Sequence, residues 1–185
     1  MEHKIVTHID CPKEWKSTDD FNSHRELLYI ALKNTKGIVV EVGMGFGSSP
    51  LISWECYEQG RHFEAFETNK DWWEEVSMKA GGDTTVINLV KDYSTSLAKY
   101  LDTKEDDSMG LFFIDCAPGE IRKHLIRSYN ETAKVIIVHD TEIGAEYVYG
   151  MKEVLSIFKY RLDYQPIGKP HTTVVSNFID VTQWI

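Results

Sequence analysis

The chain is short of cysteine. Cys11, Cys56 and Cys116 are an odd number, far apart, with no CxxC pair and no Cys/His zinc spacing. This speaks against a disulfide framework and leaves reduced thiols in a cytoplasmic setting as the expectation. No apolar run is long enough to span a membrane, and the opening "MEHKIVTHID" lacks the apolar core of a signal peptide, so no membrane partner is expected. Lys and Arg form no long run. With a net charge of -9, a general attraction to nucleic acid or anionic membrane is disfavoured. Internal repeats and low-complexity segments are absent too. What is present is ordinary for a globular chain: 42% apolar and 26% charged residues, and a length of 185 that suits one domain with a full core.

The pattern along the chain alternates. The first ~20 residues carry Pro12, Trp15 and scattered charge and read as irregular. "NSHRELLYIALKNTKG" reads as a helix, with Ser23 and Glu26 at capping-box spacing, an apolar stripe through Leu27, Ile30 and Ala31, and Gly37 as a stop. "IVVEV" (38–42) is a nearly all-apolar strand, as in a sheet covered on both faces. Ser49 can cap the next helix and Pro50 fits its first turn; Gly60 ends it. Strands are then expected at 62–68, 84–90, 110–116 and 134–140, separated by helices. The acidic run "DTKEDDS" reads as a solvated loop, and "TEIGAEYVYGMKEVLSIF" as partly helical. "KYRLDYQPI" and "HTTVVSNFI" close the chain as a strand pair around Gly168–Pro170. This predicts a doubly wound, mostly parallel seven-stranded α/β sheet with a C-terminal antiparallel hairpin at its edge.

Between the first of these strands and its helix lies "VGMGFGSSP", with Gly43, Gly45 and Gly47 at alternate positions. Glycines there permit φ > 0 and let a ligand approach the backbone, and a helix N-terminus favours an anionic group. In open α/β sheets ligands sit outside the carboxyl ends of the strands. Glu67 ends the next strand, about 20 residues after the last glycine, where a carboxylate can accept both hydroxyls of a ribose. An adenosine-type ligand with an anionic end is therefore expected. A tight ligand-free turn and a solvated strand-end acid are the plain alternatives.

At these residues the sequence resembles the class I S-adenosylmethionine-dependent methyltransferases. "VVEVGMGFG" is similar to their first motif, in which an acidic residue stands two before the first glycine; Glu41 fills that position. "AFET" resembles the second motif, which implies Glu67 on the ribose. "LVKDYS" resembles the third, which implies Asp92 near the adenine amino group and Tyr93 beside the ring. "LFFIDCAPGEIRKHL" and "VIIVHDTE" resemble the fourth and fifth strands of an O-methyltransferase-like subset, with Asp at the end of one and His-Asp-Thr at the end of the other. The similarity runs from about Gly37 to Asp140. It implies a Rossmann-like core over 37–185; the first ~35 residues have no family-wide counterpart, and residues 1–36 are expected to form a cap segment and helix on the substrate side. The glycine spacing departs from the GxGxxG of nicotinamide-binding domains, and no NPPY-type sequence of amino-methylating DNA enzymes occurs.

Methyl transfer asks the enzyme to position a nucleophile and strip its proton. Asp115, His139 and Asp140 fall at the ends of neighbouring strands and are the reaction-side candidates. His139 has the residue type of a general base at neutral pH. Neighbouring strand residues point to opposite faces, so His139 and Asp140 can both face the site only if a turn starts at Asp140. The resemblance leaves two further readings open. Asp115 can contact the donor's amino group, or Asp115 and Asp140, with Glu142, can hold Mg²⁺. Capping of a turn by Asp140 and a hydrogen-bonded core His139 are the structural alternatives. Trp72 and Trp73 can stack near an adenine or pack on the sheet. Arg122, Lys123, His124 and Arg127 read as a solvated helix face. His171, at a strand start, can face the pocket. The leading expectation is O-methylation of a small-molecule acceptor. A catalytically silent nucleotide-binding module and a methyltransferase of nucleic acid or protein are the alternatives, and a homo-oligomer is left open.

Overall fold

A computed structural model of the chain describes residues 1–19, 22–103, 109–144 and 149–185. Eight strands form one sheet: β1 (Glu2–Val6), β2 (Ile38–Val42), β3 (Phe63–Glu67), β4 (Thr85–Leu89), β5 (Met109–Ile114), β6 (Ile136–His139), β7 (Tyr160–Tyr164) and β8 (Thr172–Ser176). Their spatial order is β1-β7-β8-β6-β5-β2-β3-β4. Every pairing is parallel except those of β8, which runs antiparallel to both β6 and β7. The helices are α1 (Arg25–Asn34), α2 (Ser49–Gln59), α3 (Lys70–Ser77), α4 (Tyr93–Leu101), α5 (Ile121–Tyr129) and the single turn α6 (Lys152–Leu155).

Two readings change. The sheet has eight strands, because β1 pairs with β7 from Glu2↔Tyr160 to Val6↔Tyr164. The hairpin is consequently not the sheet's edge: β8 slots between β6 and β7, and β1 forms the rim. A strand reading "EHKIV" gave no alternation to detect, since its polar residues suit an exposed edge. Of the acidic run, residues 104–108 lie outside the described residues, as do 145–148 of the partly helical stretch.

The all-apolar strands are buried on both faces, and their alternate residues feed two cores. Val39, Leu111, Phe113 and Ile137 join Leu27, Leu28 and Ile52 of α1 and α2. Val40, Val42, Phe112, Ile114, Ile136 and Val138 join Leu97, Leu125 and Ile126 of α4 and α5. The central β2–β5 pair has a glycine at each end for a steric reason. A Cβ on Gly110 would lie 1.6 Å from the Lys36 carbonyl oxygen, and one on Gly43 would lie 2.3 Å from that of Asp115. Gly43 also has φ +81, which side chains rarely adopt.

Gly110→Ala should therefore force the entry of β5 away from Lys36 and cost about 1–3 kcal/mol or more. Urea unfolding monitored by circular dichroism reads this directly. A midpoint equal to that of the native sequence would contradict the steric account.

Candidate functional site

A cleft of about 530 Å³ opens at the carboxyl ends of the parallel strands. Gly43, Met44, Phe46 and Gly47 of the loop after β2 form one wall. Glu67, Asn69 and Trp72 form another, and Asp115 and Ala117 a third. Asp19 and Asn22 reach in from the segment before α1. The volume suits a ligand of nucleoside size.

Two carboxylates tie the loop down. Glu41, fully buried on β2, accepts the Ser49 hydroxyl at 2.7 Å, and the Ser49 oxygen accepts the Gly45 N–H at 3.0 Å. Glu67 Oε2 accepts the Met44 N–H at 3.0 Å, while Oε1 accepts from Thr68 and Asn69 N–H and from the Tyr93 hydroxyl. The Gly43 N–H goes to the Phe66 carbonyl. The first three amides of the loop are thus spent internally rather than aimed at a ligand. Gly47 answers to the cap segment: a Cβ there would meet Asn22 at 2.6 Å. Gly45 has room apart from the Ser49 neighbour Ser48, at 3.2 Å. Ser49 lies inside α2, so the residue expected to cap the helix instead bonds Glu41.

The candidates divide. Gly43, Gly47, Glu67 and Asp115 line the cleft, and Glu41 and Gly45 stand behind it. Asp92 does not reach the cleft; it is exposed and caps α4 through the Thr95 N–H at 2.6 Å. Tyr93 is buried below, its hydroxyl 3.2 Å from Glu67, and acts as a prop. Trp72 lines the cleft in edge contact with Phe46 at 4.9 Å, while Trp73 packs against the core. His171 lines a separate cavity with His3, Arg161 and Asp163.

Asp115, His139 and Asp140 do come together, around a residue read from sequence as solvated. Arg122 is buried, and its guanidinium lies 3.1 Å from Asp115 and 3.1 Å from Asp140 while also donating to the carbonyls of Cys116 and His139. β6 ends at His139, and Asp140 turns with φ 55, which releases the two side chains from opposite faces. His139 Nδ1 then lies 3.3 Å from Asp115 and 3.5 Å from Asp140. Its Nε2 is 2.9 Å from Ser23 Oγ, and Ser23 gives its own hydrogen to the Pro170 carbonyl at 2.9 Å. Nε2 therefore carries the hydrogen in that bond. Burial pushes the His139 pKa down, but Asp115 and Asp140 outweigh it and raise it. Burial pushes Asp115 up, and His139 and Arg122 more than reverse that. Both ring nitrogens of His139 are thus engaged, Nδ1 by the two carboxylates and Nε2 by Ser23.

Ser23 is thus a ligand of His139, not the helix cap, and Glu26 turns to the Ser17 N–H. His24 was missed as well. It is buried, in contact with the His139 ring, and burial together with His139 holds its pKa down at about 3. Periodicity could have found both missed residues. Arg122 precedes Leu125, Ile126 and Tyr129, and His24 precedes Leu27, Leu28 and Ala31, each at i, i+3, i+4 and i+7 on a buried face. The Mg²⁺ reading does not fit these side chains. Arg122 already bridges Asp115 and Asp140, and Glu142 accepts the His171 N–H.

No family model and no curated protein matches the chain. Solved structures do. Human methyltransferase-like protein 13 in complex with SAH (S-adenosylhomocysteine) is similar over 83% of this chain and 76% of its own, with 13% identity and a TM-score of 0.59. The N-terminal domain of human METTL16 in complex with SAH is similar over 94% and 76%, at 12% identity and 0.60. A putative O-methyltransferase from Klebsiella pneumoniae is similar over 81% and 77%, at 17% identity and 0.58. The fold is accordingly that of the class I methyltransferases.

Burial, opposed by the Ser48 and Ser49 hydroxyls and assisted by Asp115 and Glu67, pushes the Glu41 pKa up to about 8 from 4.5. The folded chain keeps a proton that the unfolded chain releases. This contribution to stability is full below pH ~4.5 and is lost as pH rises toward ~8. Glu41→Gln should flatten the fall in unfolding free energy across that window. Denaturant titrations at a series of pH values check it, and equal slopes for both proteins would refute the assignment.

Proposed function

We propose that this chain is an S-adenosylmethionine-dependent methyltransferase acting on a hydroxyl of a small molecule. The observation that carries the reading is the cleft itself, which Glu67 and Asp115, at the ends of the strands on either side of β2, line together with the Gly43 loop. Two solved neighbours of this fold were determined with SAH. A further sign of fit is Glu41, whose Oε1 is buried with no hydrogen-bond partner close behind the cleft.

Glu67 would hold the ribose hydroxyls through Oε2, which has a lone pair left beyond the Met44 amide. Asp115 would face the amino group, Trp72 and Phe46 would supply an apolar wall, and Gly43 and Gly47 would line the space with bare backbone. S-adenosylmethionine supplies a methyl group already activated as a sulfonium. The protein's part is then placement and exclusion of water. His139 fits that part: it lies against Asp115 through Nδ1 and anchors the cap segment through Ser23. The acidic lining of Asp19, Glu67 and Asp115 favours a small acceptor over a polyanion.

Isothermal titration should give SAH binding, and none for NAD. Glu67→Gln should weaken SAH by about 10–100-fold, since charge-assisted bonds to hydroxyls are worth about 1.5–3 kcal/mol. Trp54→Ala, exposed on α2 and away from the cleft, should leave it unchanged. NAD preferred over SAH, or full affinity in the Glu67 variant, would overturn the reading.

A further inference from the structure

His24 stands apart from the charge cluster it touches. It is 2% exposed, yet neither ring nitrogen has a hydrogen-bond partner. Leaving a buried polar atom unmatched costs about 1–3 kcal/mol, so such a group calls for a reason. The ring packs edge-on to His139 at 4.7 Å between centroids and against Phe113 at 5.0 Å. Its Nε2 lies 3.5 Å from where a Gly47 Cβ would stand, just beneath the cleft wall. His24, Asp115 and His139 each present one nitrogen or oxygen within 4.8 Å of the others.

Two of the three side chains, His139 and Asp115, are held from behind as metal ligands are. A ligating histidine ordinarily donates its second N–H to an outer partner, which fixes the tautomer. His139 does this through Nε2 to Ser23, itself fixed by Pro170, so Nδ1 is the nitrogen turned toward Asp115. Ligating carboxylates are likewise held from behind, and Arg122 holds Asp115 by Oδ1 while Oδ2 faces His139. We propose that His24, Asp115 and His139 form a site for one divalent transition-metal ion, of the Zn²⁺ or Co²⁺ kind, at the floor of the cleft. Two imidazoles with one carboxylate suit these ions, whereas Mg²⁺ asks for oxygen throughout. Tetrahedral bonds of ~2.0–2.1 Å set ligand atoms about 3.3 Å apart, so the three need to draw in by at most about 1.5 Å, within the reach of side-chain rotation. The ion replaces the proton between His139 Nδ1 and Asp115 and gives one of the two unpartnered His24 nitrogens a bond. Asp115 lines the cleft, so the fourth position opens there. Helping an acceptor hydroxyl lose its proton is the use such an ion would have, and that role, unlike the site, rests on the methyltransferase reading.

The test uses the full chain, stripped with a chelator and titrated with Zn²⁺ by calorimetry and with Co²⁺ by visible absorption. One equivalent should bind, Co²⁺ should give the ligand-field bands of a nitrogen–oxygen site, and the melting temperature should rise with metal. His24→Ala and Asp115→Asn should each weaken binding at least tenfold. Should a variant fail to fold, the native protein still answers through its histidine ring NMR signals: Zn²⁺ should move those of His24 and His139. No stoichiometric binding, or binding that leaves those two rings unmoved, would overturn the site. SAH titration of the stripped protein is scored separately, so a missing metal site and a missing donor site give different results.

Discussion

The site depends on the contact between the backbone of Gly43 and the backbone of Asp115. No side chain fits between them, and the φ of +81 at Gly43 turns the chain sharply out of β2 at that point. The ends of β2 and β5 are thereby pressed together, with β3 alongside. Glu41, Glu67 and Asp115, one acid from each strand, are gathered into a small region as a consequence. Like charges so close cannot all persist without compensation. The chain resolves this by giving each acid a different environment: burial beside Ser49 pushes the Glu41 pKa up to about 8, Glu67 collects amide and hydroxyl donors, and Asp115 lies against Arg122 and His139.

The third of these solutions joins the two sides of the sheet. Strand alternation sends His139 toward α1, where it meets Ser23 and His24, while Arg122 rises from α5 on the opposite face. Asp115 and Asp140 lie between them at the sheet's end. The segment before α1 is fastened to the cleft by this route and by Asn22 against Gly47. Breaking one member of such a buried network is costly because it strands a charge, commonly by about 3–5 kcal/mol. Rigidity in the cluster is thus the same property that would hold a ligand-binding wall in register.

Much of this was legible in the sequence because it was written locally. The apolar strands, the glycine loop and the acids at strand ends follow from short-range pattern, and the parallel core with β8 antiparallel agrees. What failed did so for identifiable reasons. β1 is a polar edge strand whose partner lies some 160 residues away at Tyr160, which no local pattern encodes. Arg122 was read as part of a solvated face and His24 was not singled out, although their spacing placed them on buried helix faces. Ser23, Ser49 and Asp92 all had capping chemistry, but only Asp92 caps a helix. The other two hydroxyls serve His139 and Glu41, because buried partners compete with the helix end for the same oxygen. Asp92 and Tyr93, matched by resemblance to an adenine site, lie beside and below the cleft rather than in it.

Co-crystallisation with SAH decides whether the cleft is the donor site. Density should appear in the cleft between the Gly43 loop and Asp115, with the ribose diol on Glu67 Oε2 and the Gly43–Asp115 contact unchanged. SAH bound elsewhere on the molecule, or in the cleft with its ribose turned away from Glu67, would contradict it.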